Sequence, residues 1–160
     1  MGILWAPWRM AYVSGAQQPA GCLFCTAFAT GDDVAQGILA RGQTAFLILN
    51  AFPYAAGHLM VATRRHVGSP EELDAGETLE VWRLVQRAVT ALRAVYRPDG
   101  FNLGANVGRA AGAGVEGHLH LHIVPRWAGD TNFMPVVGAL KVIPESLEDT
   151  FRRLRPHFAT

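Results

Sequence analysis

Three histidines that alternate with aliphatic residues constrain the fold of this chain more than any other feature of its sequence. Residues 118–124 read His-Leu-His-Leu-His-Ile-Val. Side chains alternate across a β-strand, so the three imidazoles of such a stretch lie on one face and the aliphatic residues on the other. The pattern therefore predicts a strand that directs its aliphatic residues into the core and presents His118, His120 and His122 on its solvent face.

Three imidazoles on one strand face permit two kinds of chemistry. They can bind zinc or another divalent metal, which needs ligand nitrogens about 2.0–2.1 Å from the ion. Alternatively, one neutral imidazole attacks phosphorus while its neighbours donate hydrogen bonds to phosphate oxygens, because histidine has an unperturbed pKa of about 6.5. A polar strand face without any chemical role is the remaining interpretation.

The remainder of the chain predicts an α+β domain with an antiparallel sheet. Short apolar runs bounded by turn residues predict strands at 44–49, 58–63 and 101–107, and the histidine strand spans 118–126. Half of the 160 residues are apolar and only 17% are charged, which excludes intrinsic disorder and suits one compact domain.

Three helices are predicted after the second strand, and the first of them is short. A long helix spans Thr78 to Tyr96 and ends before Pro98, because apolar residues recur at steps of three and four. Its apolar positions are Leu79, Trp82, Val85, Val89, Leu92 and Tyr96. The segment 69–72, Ser-Pro-Glu-Glu, predicts an earlier helix start that Gly76 interrupts. A last helix follows Pro144, and its apolar positions are Leu147, Phe151, Leu154 and Phe158.

The charge balance restricts the partners that this chain can bind. Fourteen basic residues oppose thirteen acidic ones, which leaves a net charge of +1 without any run of like charge. Affinity for nucleic acid comes mostly from neutralising phosphates, so the balance argues against a nucleic-acid or membrane-surface binder. The first residues do not resemble a signal peptide, and Asn50, Pro53 and Gly57 interrupt the longest apolar stretch, so we expect a cytoplasmic protein.

The histidine stretch resembles the signature of a known family. Residues 118–124 match the histidine-triad pattern, His-φ-His-φ-His-φ-φ, in all seven places. Further elements in the order of that family are Asn50, the Pro-x-x-x-Gly-His segment 53–58, Arg65-His66-Val67, Asn106, Gly112-Ala113-Gly114 and Pro125-Arg126. The chain is therefore similar to the histidine-triad (HIT) family over residues 22–126. The resemblance implies an α+β, HIT-like fold, an antiparallel five-stranded sheet with one long helix and a C-terminal helix.

The flanks of this region imply a domain plan and a branch of the family. We expect a single HIT domain over residues 1–160, with an aromatic N-terminal arm at 1–21, the core at 22–126 and a C-terminal extension at 127–160. Segments 4–12 and 127–135, and the long interval from Asn106 to His118, resemble bacterial diadenosine tetraphosphate phosphorylases. The family resemblance also implies a homodimer with the long helix and an adjoining strand at a two-fold interface.

The resemblance implies cleavage of a dinucleoside polyphosphate at the α-phosphorus. His120 would be the nucleophile that forms a nucleotidyl-histidine intermediate, His122 would hydrogen-bond phosphate oxygens, and water or phosphate would accept the nucleotidyl group. A nucleoside phosphoramidase is an alternative, although the loop Gly112-Ala113-Gly114 lacks the polar side chains of that branch. A catalytic-metal enzyme and a zinc-stabilised nucleotide-binding protein with little turnover are alternatives of other classes.

Several residues outside the triad are expected to contact the substrate. By resemblance, Asn50 contacts the ribose, Asn106 contacts the phosphate region and His58 supports the site. Asn50 can equally be a turn residue before Pro53. Glycines let backbone N–H groups turn toward phosphate oxygens, which makes the loop a second candidate. Its residues are Gly112, Ala113, Gly114 and Val115.

Two cysteines, Cys22 and Cys25, stand in a Cys-x-x-Cys arrangement. Two are too few for a secreted disulfide scaffold, so metal binding, redox chemistry or an inert buried pair remain. Some bacterial HIT proteins bind structural zinc, and the resemblance adds His66 and His118 to the cysteines as a Cys₂His₂ set suited to tetrahedral zinc. His118 would then be a metal ligand and not a member of the phosphate site. No organic cofactor is implied.

Overall fold

The structure is a computed structural model that describes residues 21–130 and 143–159 of the chain. The expected aromatic arm at 1–21, apart from Gly21, and most of the segment 127–135 lie outside the described residues. Within them, α1 (Leu23–Ala29) and α2 (Asp33–Gln36) precede the strands β1 (Ile38–Arg41), β2 (Ala45–Leu49) and β3 (Leu59–Thr63). The later elements are α3 (Ala75–Tyr96), β4 (Gly100–Gly104), β5 (His120–Arg126) and α4 (Leu147–Leu154), with 3₁₀ turns at Pro70–Glu72, Arg109–Ala111 and Arg155–His157.

The five strands form one sheet in the order β1-β2-β3-β5-β4, in which every neighbouring pair is antiparallel. This confirms the predicted α+β class and the five-stranded sheet with one long helix and a C-terminal helix. The individual strand β1 had no separate sequence prediction. No helix in the described parts of the chain is long and apolar enough to cross a membrane.

One face of the sheet packs against the long helix α3 and the C-terminal helix α4. The helix α3 buries a stripe consisting of Leu84, Val85, Ala88, Ala91 and Leu92. The predicted apolar face is therefore wrong in its first half, since Leu79 is 51% exposed and Trp82 49% exposed. Small alanines at the contact let α3 lie close to the sheet, and they rotate the buried stripe away from the larger residues.

The beginning of α3 also differs from the sequence prediction. Asp74 caps the helix by accepting a hydrogen bond from the Glu77 N–H (2.8 Å), and the Glu77 carboxylate accepts one from the Asp74 N–H (2.9 Å). Gly76 lies inside the first turn of this capping box and does not interrupt a helix. The helix ends at Tyr96, as the position of Pro98 predicts, and Arg97 caps it in a left-handed conformation.

The other face of the sheet carries the histidine row, and the helix α1 covers part of it. Phe24 of α1 packs on this face, with its ring centroid 5.2 Å from that of His118 and 4.8 Å from that of His120. His118 is 1% exposed and His120 is 5% exposed. The expected solvent face is therefore wrong for these two residues, because the segment after Cys22 folds as a helix over them.

Candidate functional site

The histidine row lies at the centre of the sheet. β5 pairs with β3 at both His120 and His122, which lie opposite Ala62 and Met60, and it pairs with β4 from His122 onward. The ring centroids of His120 and His122 are 5.0 Å apart. Pairing with a neighbouring strand holds side chains in a fixed direction, so these two imidazoles are preorganised next to each other.

The protonation of the His120 ring is fixed by a backbone carbonyl. Its Nδ1 lies 2.7 Å from the carbonyl oxygen of His118. Because a carbonyl oxygen only accepts hydrogen bonds, Nδ1 carries the proton and the Nε2 of the neutral ring keeps its lone pair. That lone pair is the electron pair a nucleophile requires.

His122 is held in the opposite tautomer through His58. The Tyr54 N–H donates to His58 Nδ1 (3.0 Å), so the proton of the neutral His58 ring is on Nε2. That Nε2 lies 3.0 Å from His122 Nδ1 and donates to it. His122 then carries its own proton on Nε2, where it is a hydrogen-bond donor. The structure thus places His58, a residue that the sequence analysis expects to support the site, in direct contact with His122.

Burial keeps the imidazoles of the row neutral. Desolvation is the main cause that lowers the pKa of His120, against a raising effect from the carbonyl of His118. Desolvation and the neighbouring His120 lower the pKa of His122 to about 4. Both rings are therefore neutral near pH 7, which is the form that the lone pair of His120 requires.

A cavity of about 270 Å³ lies between α1 and the histidine row. Its volume is slightly below the range for small-molecule sites, roughly 300–1,000 Å³. His120 and His122 line one side of it, and Phe24 and Ala27 line another. The predicted substrate residues that line this cavity are Asn50, Asn106, Gly112, Gly114 and Val115. Ala113 is absent from this lining.

The glycine loop uses part of its backbone for its own structure. The N–H of Gly112 donates to the Arg109 carbonyl (3.0 Å), and the N–H of Ala113 donates to the Gly108 carbonyl (3.4 Å). Gly108 and Gly112 have φ of 79° and 82°, which only glycine adopts easily. The glycines therefore shape the turn. The N–H groups of Gly112 and Ala113 are used by hydrogen bonds within the loop and not by the cavity.

Asn50 and Gly57 delimit the loop that carries His58. The Asn50 side-chain oxygen accepts a hydrogen bond from the Phe52 N–H (2.8 Å), which is the turn geometry expected before Pro53. Its amide nitrogen lies 3.4 Å from His58 Nε2, and because both groups are donors this is a packing contact. Gly57 has φ of 73°, and a Cβ there would lie 2.8 Å from the Leu92 side chain, so the turn before His58 needs glycine.

The two cysteines, His66 and His118 form a second cluster at the beginning of the histidine row. Their ligand atoms all lie within 4.8 Å of one another. His118 Nδ1 is 3.2 Å from Cys22 Sγ, 3.5 Å from Cys25 Sγ and 3.3 Å from His66 Nδ1. Tetrahedral zinc, at its usual bond lengths, separates neighbouring ligand atoms by about 3.3–3.8 Å. The distances from His118 Nδ1 to the other three ligand atoms are therefore close to those around a zinc ion.

The tautomer of His118 also suits metal binding. Its Nε2 lies 2.7 Å from the Thr63 carbonyl oxygen and must donate to it, so Nδ1 keeps the lone pair that faces the thiols. Burial, more than the adjacent Cys22, raises the pKa of the Cys25 thiol. A thiol in this state needs a metal ion or another cation to become a thiolate.

Sequence reasoning missed two contacts that position these clusters. Phe24 follows the first cysteine and packs against both His118 and His120, but a lone aromatic between cysteines gives no signal of this contact. Arg65 bonds both carboxylate oxygens of Glu77 at 2.8 Å and so fixes the segment that carries His66. The Arg65-His66-Val67 element indicated the segment, and only the structure identifies its partner on α3.

A second and larger cavity, of about 1360 Å³, opens on the other side of His122. Tyr54, Asn106 and His122 line both cavities. The walls of the larger one come from the end of α3, the turn after β5 and the beginning of α4. His122 and its neighbours thus lie at the junction between a small, mostly apolar space and a wide one.

The chain is similar to known proteins over nearly its full length. AP-4-A phosphorylase of Mycobacterium tuberculosis (strain CDC 1551 / Oshkosh) is 39% identical over 165 aligned residues, which cover 98% of this chain and 84% of that protein. Its similarity supports the predicted enzyme class.

Solved structures share the fold. A Zn-bound histidine-triad family protein from Mycobacterium smegmatis has a TM-score of 0.68 at 25% identity, over 86% of this chain and 92% of that one. A hypothetical histidine triad nucleotide-binding protein from Sulfolobus tokodaii strain7 has a TM-score of 0.69 at 26% identity, over 85% and 91%. The model of the HIT domain matches residues 34–129, which is more than half of the chain. The chain therefore belongs to the HIT domain family, as its histidine row predicted.

Proposed function

We propose that this protein transfers a nucleotidyl group from a dinucleoside polyphosphate, of the diadenosine tetraphosphate type, to water or inorganic phosphate through His120. The observation that carries the proposal is the 2.7 Å hydrogen bond from His120 Nδ1 to the His118 carbonyl. It leaves a lone pair on Nε2 of a buried, neutral imidazole that lines the small cavity. A nucleoside in that cavity brings its α-phosphorus next to this nitrogen.

The first step forms a bond from His120 Nε2 to the α-phosphorus and breaks the bond from that phosphorus to the bridging oxygen. The imidazole becomes cationic as it attacks, and the His118 carbonyl stabilises the charge at Nδ1–H. The departing oxygen accepts a hydrogen bond from His122 Nε2–H, whose tautomer is set by His58, and leaves as the polyphosphate anion. In the second step, water or phosphate attacks the same phosphorus, the phosphorus–nitrogen bond breaks, and His120 is released as the neutral imidazole, while the proton of an attacking water passes to the solvent.

The dinucleoside substrate class has two supports. The similarity to the phosphorylase of Mycobacterium tuberculosis covers 98% of this chain and therefore includes both flanks of the HIT core. In addition, the loop at Gly112-Ala113-Gly114 offers no side-chain hydroxyl or amide to a leaving amine. Both features favour a polyphosphate leaving group over the phosphoramidate of the alternative function.

A structural zinc ion is part of the proposal. The spacing of the four ligand atoms and the tautomer of His118 support it, and a structural relative from Mycobacterium smegmatis is described as Zn-bound. Cys22 is the N-cap of α1 and Cys25 lies in its first turn, whereas His66 follows β3 and His118 precedes β5. The ion would supply a cross-link between α1 and the sheet, and Phe24 of the same helix would then be held against His120.

We further propose that the protein forms a homodimer. β4 is an edge strand, and Asn102, Leu103 and Gly104 on it are exposed. Unpaired backbone groups of an edge strand are a ready site for pairing with a second copy. The exposed Leu79 and Trp82 on α3 provide apolar area of the kind that an interface buries.

The proposal is tested by analysing the products of diadenosine tetraphosphate with and without inorganic phosphate. Attack at the α-phosphorus yields AMP and ATP when water is the acceptor, and ADP and ATP when phosphate is. His120→Ala protein is the matched control for contaminating activity. Two molecules of ADP formed without phosphate would contradict α-phosphorus cleavage. Tight binding without turnover under either condition would favour the nucleotide-binding alternative.

A further inference from the structure

The aromatic ring of Tyr54 lies over the two imidazoles on the leaving-group side of the site. Its centroid is 4.6 Å from that of His58 and 5.9 Å from that of His122. The interplanar angle with His122 is 20°, so the two rings form an offset stack, which aromatic pairs favour at centroid distances of roughly 4.5–7 Å. Tyr54 therefore covers one face of the hydrogen-bonded pair formed by His58 and His122.

Backbone hydrogen bonds fix the position from which this ring extends. The N–H of Tyr54 donates to His58 Nδ1 (3.0 Å), and the N–H of His58 donates to the Ala55 carbonyl (3.2 Å). The N–H of Asn50 donates to the carbonyl of His58 (3.1 Å), which joins the two ends of the loop. A loop held in this way leaves its backbone little freedom, so the ring of Tyr54 is preorganised over the imidazoles.

The plane of the His122 imidazole depends on its neighbours. The torsion that turns an imidazole about its bond to Cβ is broad, so the side chain alone does not select one plane. His58 and His120 meet the His122 ring at interplanar angles of 47° and 71°. Among the ring contacts of His122 within residues 21–130 and 143–159, the contact with Tyr54 is the closest to parallel. The hydrogen bond from His58 therefore holds one nitrogen of His122, and the stack with Tyr54 holds the plane of the ring.

Tyr54 also lies where the two cavities meet. It lines both the small cavity and the larger one, and it is 44% exposed. The larger cavity, at about 1360 Å³, has room for many water molecules. Without the ring, this water would reach the hydrogen bond between His58 and His122 and compete for its donor and acceptor. The ring thus shields the bond that sets the tautomer of His122.

We propose that Tyr54 is a positioning residue that holds the His122 imidazole in the plane from which Nε2–H donates to the leaving oxygen. This inference rests on the proposed function and names the residue that controls how strongly the leaving group is stabilised. Because Tyr54 acts through His122, its contribution should grow with the negative charge that collects on the leaving oxygen. A residue that only supports the fold would affect every leaving group equally.

The test compares two substrates that differ only in their leaving group, the phenyl ester and the p-nitrophenyl ester of AMP. Both donate the same adenylyl group to His120, but the nitro group spreads the charge of the departing phenolate, which then needs less from a hydrogen bond. We expect Tyr54→Leu to lower kcat/KM by about tenfold or more for the phenyl ester and by much less for the p-nitrophenyl ester. The ratio of the two values comes from one preparation, so a partly unfolded variant does not change it.

Two further variants calibrate this ratio of kcat/KM, p-nitrophenyl over phenyl. Tyr54→Phe keeps the stacked ring and should keep the wild-type ratio, whatever its effect on the absolute rate. His122→Leu removes the donor itself and should raise the ratio at least as much as Tyr54→Leu. A ratio raised equally in Tyr54→Phe and Tyr54→Leu would assign the effect to the hydroxyl and overturn the role of the ring.

The other outcomes separate this inference from the proposed function. An unchanged ratio in Tyr54→Leu, with a raised ratio in His122→Leu, would overturn the positioning role of Tyr54 and leave the α-phosphorus chemistry standing. An unchanged ratio in His122→Leu would instead contradict the leaving-group role that the proposed function gives to His122. Absence of adenylyl transfer from diadenosine tetraphosphate and from both esters in wild-type protein would overturn the proposed function itself.

Discussion

His118 and His120 are two residues apart on one face of the same strand region, yet their surroundings prepare them for different chemistry. His118 donates from Nε2 to the Thr63 carbonyl, which leaves Nδ1 facing two thiols and His66. His120 donates from Nδ1 to the His118 carbonyl, which leaves Nε2 at a cavity wall. In each ring, the nitrogen that donates to a backbone carbonyl carries the proton, and the other nitrogen keeps its lone pair. The groups around that second nitrogen then determine whether it can bind a metal ion or attack phosphorus.

The substitution with the largest expected effect on turnover is His120→Ala. Removing the nucleophile should lower turnover by several powers of ten, because no other described imidazole combines a free Nε2 lone pair with this cavity. His120 packs on Phe24, so we also expect a modest decrease in melting temperature. Zinc content should stay unchanged, since the four cluster residues are intact. The measurements are steady-state turnover, thermal melting and metal analysis. A variant that keeps about a tenth of the wild-type rate, a barrier change of only ~1.4 kcal/mol, would contradict the assignment.

His58→Leu should give the next largest effect, through the tautomer of His122. Leucine fills a similar space but donates nothing to His122 Nδ1, so the proton of His122 is no longer fixed on Nε2. We expect kcat to fall by about 100-fold, the size of effect seen when one hydrogen-bond donor to the developing charge is lost. His58→Gln keeps an N–H donor and should recover part of the loss. Equal rates for the two variants would show that the role of His58 is packing alone.

Much of this site follows from the sequence, and the exceptions have physical causes. The period-two alternation of residues 118–124 predicted β5 and its common histidine face, because strand geometry fixes that relation. The alternating histidines do not predict which element packs over them. The segment that forms α1 carries a Cys-x-x-Cys spacing, which predicts metal binding or redox chemistry but no helix over the histidines. Residues that meet only through tertiary structure, such as Arg65 and Glu77, leave no local pattern. The apolar stripe of α3 was misplaced because alanines at Ala88 and Ala91 carry the contact.

Cys25→Ser tests the metal-binding role that the comparison assigns to His118. We expect wild-type protein to contain about one zinc ion per chain and the variant to lose it, with a melting temperature lower by several degrees. Turnover should decrease only slightly at temperatures where α1 remains folded, since His120 is not a ligand. Metal analysis, melting curves and kinetics on the same preparations check this. Wild-type protein that is metal-free and indifferent to added zinc would assign the cysteines to the core.

The smallest expected effect is a difference in pH dependence: kcat/KM and zinc binding should decline at different pH values. Burial and the adjacent His120 lower the pKa of His122 to about 4, so this ring stays neutral as the pH falls through 6.5. We therefore expect kcat/KM to persist at pH 6 and to decline only nearer pH 4. Zinc binding should weaken earlier, because protons compete for the thiolates. A decline in kcat/KM centred at 6.5 or above, measured on protein that retains its zinc, would contradict the environment assigned to His122.

The central claim, that His120 and not its neighbour carries the nucleotidyl group, is tested most directly by trapping the intermediate. Rapid quenching of wild-type and Cys25→Ser protein during turnover of diadenosine tetraphosphate, followed by mass spectrometry of peptides, locates any adenylyl adduct. We expect one adduct, on His120, in both proteins, and none in His120→Ala. An adduct on His118 or His122, or turnover at full rate with no adduct in a single-turnover experiment, would contradict the account.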